Sequence, residues 1–406
     1  MGANAFAEEV PIISVSSQSG DLDLRSAIDR AVETHPTITA AKANVQAAGA
    51  EVSAANWRRF PSFSVESLLL DQAVNRMQAQ AVVDQPLWAG GRISGTIERS
   101  QARQQSALAS YDEAVLSIAS ATAQAFFEVH RWRERIQILN RSLAEHGRMV
   151  ATMERRYAQE VSPLPDLELA RSRALQIEQQ LFQARAQEGA SSSRLRELVG
   201  DPMLMIGALP TPPTSWPEYQ DDDAMAKVFA FHPTLKRLRY DADGAKADTK
   251  LARASILPQL SGQYSYSDAF GHRVGLVLKA QSDGGLSRFA SADAAKQKAR
   301  ATELQVAAGE RQLRDQVIAV LREYESSRLR LDGSVAASGY AQRVMESYLR
   351  QFTSGRRMWL DVMNAVREST AAEIDATDAR ISAQSTLVRI MLLTGQWAPP
   401  SMKAGE

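Results

Sequence analysis

Cysteine is absent from this 406-residue chain. Its absence removes disulfides, thiolate metal sites, a cysteine nucleophile and an N-terminal lipid anchor on cysteine. Aromatic residues are scarce, at 6%, which suits long helices better than a large mixed core. Net charge is missing too, since 47 basic residues meet 47 acidic ones. No global field therefore directs the chain toward nucleic acid or an acidic partner. No run of 18 or more apolar residues occurs, so a spanning helix is excluded and any contact with a membrane falls to strands. The five histidines form no ligand set. His130, His146 and His272 are scattered, whereas His35 and His232 recur at matching helix breaks and read as architectural. No phosphate loop, nucleophile elbow or paired catalytic carboxylates stand out. These residues single out no catalytic, cofactor or metal site.

What is present is a repeat. Ala31-Val32-Glu33-Thr34-His35-Pro36-Thr37-Ile38 recurs as Val228-Phe229-Ala230-Phe231-His232-Pro233-Thr234-Leu235. Gly90-Gly91 recurs as Gly284-Gly285, and Tyr157-Ala158-Gln159-Glu160 as Phe352-Thr353-Ser354-Gly355. Leu198-Val199-Gly200 matches Leu393-Thr394-Gly395, and the offset holds at about 195 residues throughout. One unit is thus written twice. We expect an N-terminal extension over 1–21, repeat 1 over 22–200, a Pro-rich linker over 201–221, repeat 2 over 222–395 and a tail over 396–406. The linker, with Pro210, Pro212, Pro213 and Pro217, is expected to belong to no packed element. Within the extension, Asn4-Ala5-Phe6-Ala7 before Glu8-Glu9 resembles the end of a secretory signal, with cleavage after Ala7.

Each unit reads as helix, break at His-Pro, helix, hairpin and two long helices. Proline disfavours helical geometry at the residue before it, which places the breaks at His35 and His232. From Ile93 to about Arg156 no proline interrupts a run of helix formers, a helix on the order of 95 Å long. A turn at Glu160 to Pro165 leads to a helix from about Asp166 to Val199, and the last helix is placed at Arg357 to Leu393. Along Leu108, Tyr111, Val115, Ile118, Thr122, Ala125 and Val129 the apolar spacing alternates between three and four, a coiled-coil seam with small residues between.

The hairpins, about 61–88 and 259–281, have strands of roughly ten residues, the length that crosses a bilayer when tilted. Phe63 and Val65 alternate with Ser62, Ser64 and Glu66, and Val274, Leu276 and Leu278 alternate with Arg273 and Lys279. One apolar and one polar face suit lipid outside and water inside. An open sheet cannot span lipid, because every backbone group there must be paired. The smallest spanning barrels have eight strands, so four per chain have to be pooled, and three copies supply twelve. The alternative is an ordinary sheet capping a helical rod. Gly90, Gly91, Gly284 and Gly285 read as strand-to-helix turns. Trp88, Tyr264, Tyr266 and Phe270 suit either an interfacial aromatic belt or ordinary packing.

The two-fold repeat, the segment Gln85-Pro86-Leu87-Trp88-Ala89-Gly90-Gly91-Arg92 and the Gly355 to Asp361 turn resemble the TolC-like outer-membrane channels. The resemblance covers about Leu22 to Gly395. It implies a mainly α fold with a membrane β-barrel: a homotrimer with one twelve-stranded barrel in the Gram-negative outer membrane and a long periplasmic α-helical barrel. Implied partners are outer-membrane lipid, a periplasmic adaptor protein, an inner-membrane ABC transporter and an exported polypeptide, and the resemblance implies no enzymatic activity and no cofactor. The resemblance also implies a periplasmic gate, in which Arg357, two residues after the turn glycine, pairs with acids, and Asp361 and Asp166 ring the entrance. Phe352 stands where the family pattern has tyrosine, and Asn364 where a second acid is common, so this gate has fewer polar ties. On the residues alone, Arg357 and Asp361 equally form an i,i+4 surface pair worth a few tenths of a kcal/mol. The segment Lys279 to Arg288 lacks the Pro-Leu-Phe common there and resembles the branch that secretes large adhesins by the type I route. Multidrug efflux is the alternative cargo, and a pore-less periplasmic coiled-coil scaffold the alternative class.

Overall fold

The computed structural model describes residues 22–69, 77–267, 271–280, 286–397 and 399. The signal-like segment, most of the tail, the tip residues 268–270 of the second hairpin, and Gly284 and Gly285 lie outside the described residues. The elements run α1 (Leu24–Thr34), α2 (Pro36–Trp57), β1 (Ser62–Leu69), β2 (Met77–Trp88), α3 (Arg92–Ala158) and α4 (Leu164–Val199). The same order follows again: α5 (Asp221–Phe231), α6 (Pro233–Ala254), β3 (Gln259–Ser267), β4 (Gly271–Lys279), α7 (Ser287–Thr353) and α8 (Trp359–Leu393). Each of α3 and α7 runs 67 residues without a break. Both His-Pro breaks are present: His35 ends α1 with ψ 128°, and His232 precedes α6 with ψ 122°, because the proline ring excludes the helical value before it.

Two compact units result, and each draws on both repeats. One holds 22–35, 115–231 and 314–399, the other 36–114 and 232–313. The chain passes between units at the His-Pro breaks and again within α3 and α7.

The first unit has the larger side chains. Phe126, Phe127, Leu139, Leu195, Ile381 and Leu387 are fully buried, each such burial stabilising by about 1.5–3 kcal/mol. Asp23 caps α1 by accepting from the Ser26 N–H at 2.7 Å. Gly200, in the left-handed conformation, ends α4. The linker corrects its sequence reading, for it is a strap packed on helices. Its prolines cannot donate, but their carbonyls accept: Gln384 Nε2 donates to Pro210 O at 2.7 Å, and the Tyr324 hydroxyl to Pro217 O at 2.9 Å. Trp216 and Tyr219 flank the Tyr324 ring at 6.3 and 5.8 Å.

Two helical turns in this unit share one design. After α3 the Val161 N–H donates to Arg156 O at 2.9 Å, and after α7 the Arg356 N–H donates to Gln351 O at 2.9 Å. The pivot of the second turn is Gly355, φ 72°, whereas the first uses Glu160, φ 59°. A side chain in that region costs about 1 kcal/mol. Glu160→Gly is therefore expected to stabilise the fold by about 0.5 kcal/mol, the left-handed strain outweighing glycine's extra chain entropy. Denaturant titration followed by circular dichroism checks this, and a loss of stability would show that the turn is not strained. α8 begins at Trp359 with Met358 as cap, two residues later than the spacing predicts, so Arg357 belongs to the turn.

The second unit packs small residues, with Ala55, Ala109, Ala242, Ala247 and Ala254 buried. Ion pairs flank them, Arg237 to Glu113 at 2.8 Å and Arg99 to Asp248 at 3.4 Å. The sheet in this unit is fully antiparallel, in the order β1-β2-β3-β4. The hairpin of repeat 1 thus pairs with its twin through β2 and β3, and a register shift between Pro86 and Trp88 absorbs the residue that cannot donate. Gly90 and Gly91, φ 58° and 89°, turn β2 into α3, and a Cβ on Gly90 would lie 2.9 Å from Leu257 Cβ.

Candidate functional site

Side chains paired across an antiparallel ladder share a face, so the register sorts the sheet into two faces. Phe63 lies opposite Val83, Val83 opposite Tyr264, and Tyr264 opposite Val274. Val65, Ala81, Tyr266 and His272 form the next row, and Leu260 pairs with Leu278. Phe63 is 70% exposed, Leu276 71% and Val274 84%. The other face carries Ser64, Glu66, Gln80, Asp84, Gln263 and Ser265, with Arg273 opposite Ser265 and Lys279 opposite Gln259. Asp84 accepts from Ser261 Oγ at 3.0 Å and lies 3.9 Å from Lys279 Nζ. On the apolar face the Tyr264 hydroxyl meets His272 Nδ1 at 2.6 Å, so this polar pair is internally satisfied. β1 and β4 are the sheet's edges, each with one side of its ladder open among the described residues. Exposed apolar faces of this extent mark protein–protein or membrane interaction sites.

The turn residues singled out in the sequence are only partly brought together. Arg357 Nη1 lies 3.4 Å from Asp361 Oδ2, its Nε donates to Gln351 Oε1 at 3.3 Å, and its guanidinium sits 4.1 Å from the Tyr348 ring centroid. Tyr348 and Gln351 were not legible as partners, because they lie across the turn on α7. Phe352 and Trp359 pack against both small cores at this end, Met149 with Val362 and Met153 with Leu167. Arg156 also covers the Phe352 ring, at 5.8 Å, and donates to Ser162 Oγ at 3.0 Å. Asp166 makes no side-chain hydrogen bond or ion pair among the described residues and does not meet Arg357. Asp166 and Asp361 each stand in the first turn of a helix, where the N-terminal dipole favours an acid. Asn364 lies apart from the ion pair, lining a cavity on α8.

His130, on α3 in the first unit, has a different part. Burial pushes its pKa down to about 4, helped by Arg133 and Arg380 and opposed by a hydrogen bond to the Gly207 backbone. Above pH 6.5 neither the folded nor the unfolded chain protonates this ring. As pH falls from 6.5 to 4, the unfolded chain takes up a proton that the fold refuses, and about 3 kcal/mol of stability is lost at most. We expect His130→Leu to flatten the fall in thermal stability between pH 7 and 5, measured by circular dichroism. An identical fall in both proteins would contradict this.

Among the described residues no helix is long and apolar enough to cross a membrane, and no three His, Asp or Glu side chains gather as a metal site. Residues 27–201 match the family model described as outer membrane efflux protein. The Campylobacter jejuni CmeC outer membrane channel is similar in structure, with a TM-score of 0.78 at 14% identity over 92% of this chain and 85% of that one. The outer membrane protein VceC of Vibrio cholerae gives 0.78 at 16% identity over 92% and 96%. The open Neisseria gonorrhoeae MtrE outer membrane channel gives 0.76 at 16% over 92% and 88%. Identities this low carry the fold alone, and the family model covers less than half of the chain. A comparison with curated proteins finds no match. Residues 27–201 thus match the outer membrane efflux protein family, and along nearly its whole length the chain shares the fold of the TolC-like outer-membrane channels.

Proposed function

We propose that three copies of this chain close their four-stranded sheets into one twelve-stranded barrel in the outer membrane, continued in the periplasm by the helices. One observation carries this: a sheet with an exposed apolar face, a polar face and two open edges. Such a sheet is costly in water and cannot span lipid alone, whereas pooled with its copies every edge finds a partner. The polar face, with Glu66, Asp84, Arg273 and Lys279, then lines a water-filled passage. Fractionation tests it: the native protein should be recovered from outer membranes as an SDS-resistant trimer, and recovery as a soluble monomer would refute the reading.

The cargo we infer is a large polypeptide, an adhesin exported by the type I route, with a periplasmic adaptor and an inner-membrane ABC transporter docked at the entrance. The support is the segment Lys279 to Arg288, without the Pro-Leu-Phe usual there. Multidrug efflux is the second reading, favoured by the description of the matching family. Deleting the gene should abolish surface display of a large adhesin and leave drug susceptibility unchanged, and the opposite pair of results would favour efflux. The entrance is gated by Arg357 and Asp361, with Asp166, Phe352 and Asn364 nearby along α4, α7 and α8. The proposed domain plan keeps 22–200 and 222–395 as the two repeats joined by the 201–221 strap.

A further inference from the structure

A half-open cavity of about 290 Å³ lies in the first unit, walled by α3, α4 and α8. Its apolar lining comes from Leu169, Ile177, Trp359, Met363 and Ile374. Arg135, Arg173 and Arg367 also line it, against the single acid Asp375. Arg135 is engaged elsewhere, 3.9 Å from Asp378 and over the Trp132 ring. Arg173 donates to the neutral Gln176 Oε1 at 2.9 Å, and neither it nor Arg367 has an ion pair among the described residues. Elsewhere in the unit Arg141, Arg171, Arg322, Arg328 and Arg389 each hold a carboxylate. Two cations without ion pairs on a cavity of mixed polar and apolar lining suit a ligand with both properties.

We propose that this cavity binds a small amphipathic anion, a single carboxylate or sulfonate on an apolar body of about a dozen heavy atoms, the size that a cavity near the lower end of the ligand-pocket range admits. The guanidinium groups of Arg173 and Arg367 take the charged head, for which their planar forks are suited. Trp359 and Met363 cover the apolar body. A metal cation is repelled by the two guanidinium groups, and a neutral apolar molecule leaves them without partners. Trp359 also packs against Phe352's two small cores, so the ligand touches a side chain that holds the turns together. The site goes beyond the channel reading and does not depend on which cargo is carried.

Trp359 makes the cavity its own reporter. Tryptophan fluorescence of the purified assembly in non-ionic detergent is titrated with 4-phenylbutyrate, with the neutral 4-phenylbutanol and with acetate. We expect saturable quenching by 4-phenylbutyrate that Trp359→Phe removes. The alcohol should bind about tenfold more weakly, as should 4-phenylbutyrate to Arg173→Gln/Arg367→Gln, given the usual worth of a charged hydrogen bond. Should that double variant fail to assemble, the salt dependence of the wild-type protein serves instead, and affinity for the anion but not the alcohol should fall as sodium chloride rises. Equal binding of acid and alcohol, unchanged affinity in a folded double variant, or no saturable signal in the wild type would each overturn the site.

Discussion

Arginine at Leu276 should prevent the trimer from forming in the outer membrane. Leu276 stands mid-strand in β4, opposite Gly262, on the apolar face and 71% exposed. At the bilayer midplane of a β-barrel an arginine on the lipid face costs about 2–4 kcal/mol, and a trimer carries the change once per copy. Gln263→Arg is the matching control. It lies one residue away on the polar face, opposite Asp84 and Gly275, where a cation faces water and meets an acid. The expected outcome is loss of the SDS-resistant species for Leu276→Arg and its survival for Gln263→Arg, read on gels of membrane fractions. If both variants assemble equally well, the apolar face does not meet lipid.

The second large effect is expected at the turn after α7. The Arg357 guanidinium is held by three groups of its own chain: the Tyr348 ring, Gln351 and Asp361. The ion pair alone is worth little, since both side chains are substantially exposed and an i,i+4 pair contributes about 0.3–0.5 kcal/mol. Stacking on tyrosine adds about 0.5–1 kcal/mol at an exposed site. A clasp of that strength is breakable, as a gate has to be, and its planar fork is not reproduced by lysine. Arg357→Ala should raise single-channel conductance in planar bilayers, and Arg357→Lys should give an intermediate value. Asp361→Ala should act in the same direction with a smaller effect, because two of Arg357's three partners remain. Conductance unchanged in all three would reduce Arg357 and Asp361 to an ordinary surface pair.

Much of the architecture is legible in the sequence because its causes are local. A proline dictates the geometry of the residue before it, so His35 and His232 mark the helix breaks at both sites. Strand alternation has period two, so Phe63, Val65, Val274 and Leu276 are assigned to one face before any pairing is known. The repeat also aligns Glu160 with Gly355, and in that alignment lies the signal that a glutamate occupies a left-handed position.

What escapes the sequence depends on contacts between distant segments. The linker is read as unpacked because proline breaks helices and strands, yet its carbonyls bind Gln384 and Tyr324 from far along the chain. His130 looks like a stray histidine until Arg380 and the Gly207 backbone are brought to it. The gate is read from Asp166, Phe352, Arg357, Asp361 and Asn364, but the fold gives Arg357 a tyrosine and a glutamine and sets Asn364 in a cavity with Arg367. Side-chain spacing within one helix foretells an i,i+4 pair; it does not foretell what crosses a turn.

The central claim is that β1 of one copy pairs with β4 of the next until three copies close the sheet. A chain without cysteine lends itself to disulfide trapping across that seam. Cysteines are placed in pairs along the two edge strands, Ser64→Cys with Gly275→Cys and neighbouring positions, and oxidised in native membranes. The closed barrel predicts that one register of pairs yields a covalent trimer and nothing larger on denaturing, non-reducing gels. Monomers at every register, or a ladder that continues past three, would contradict it.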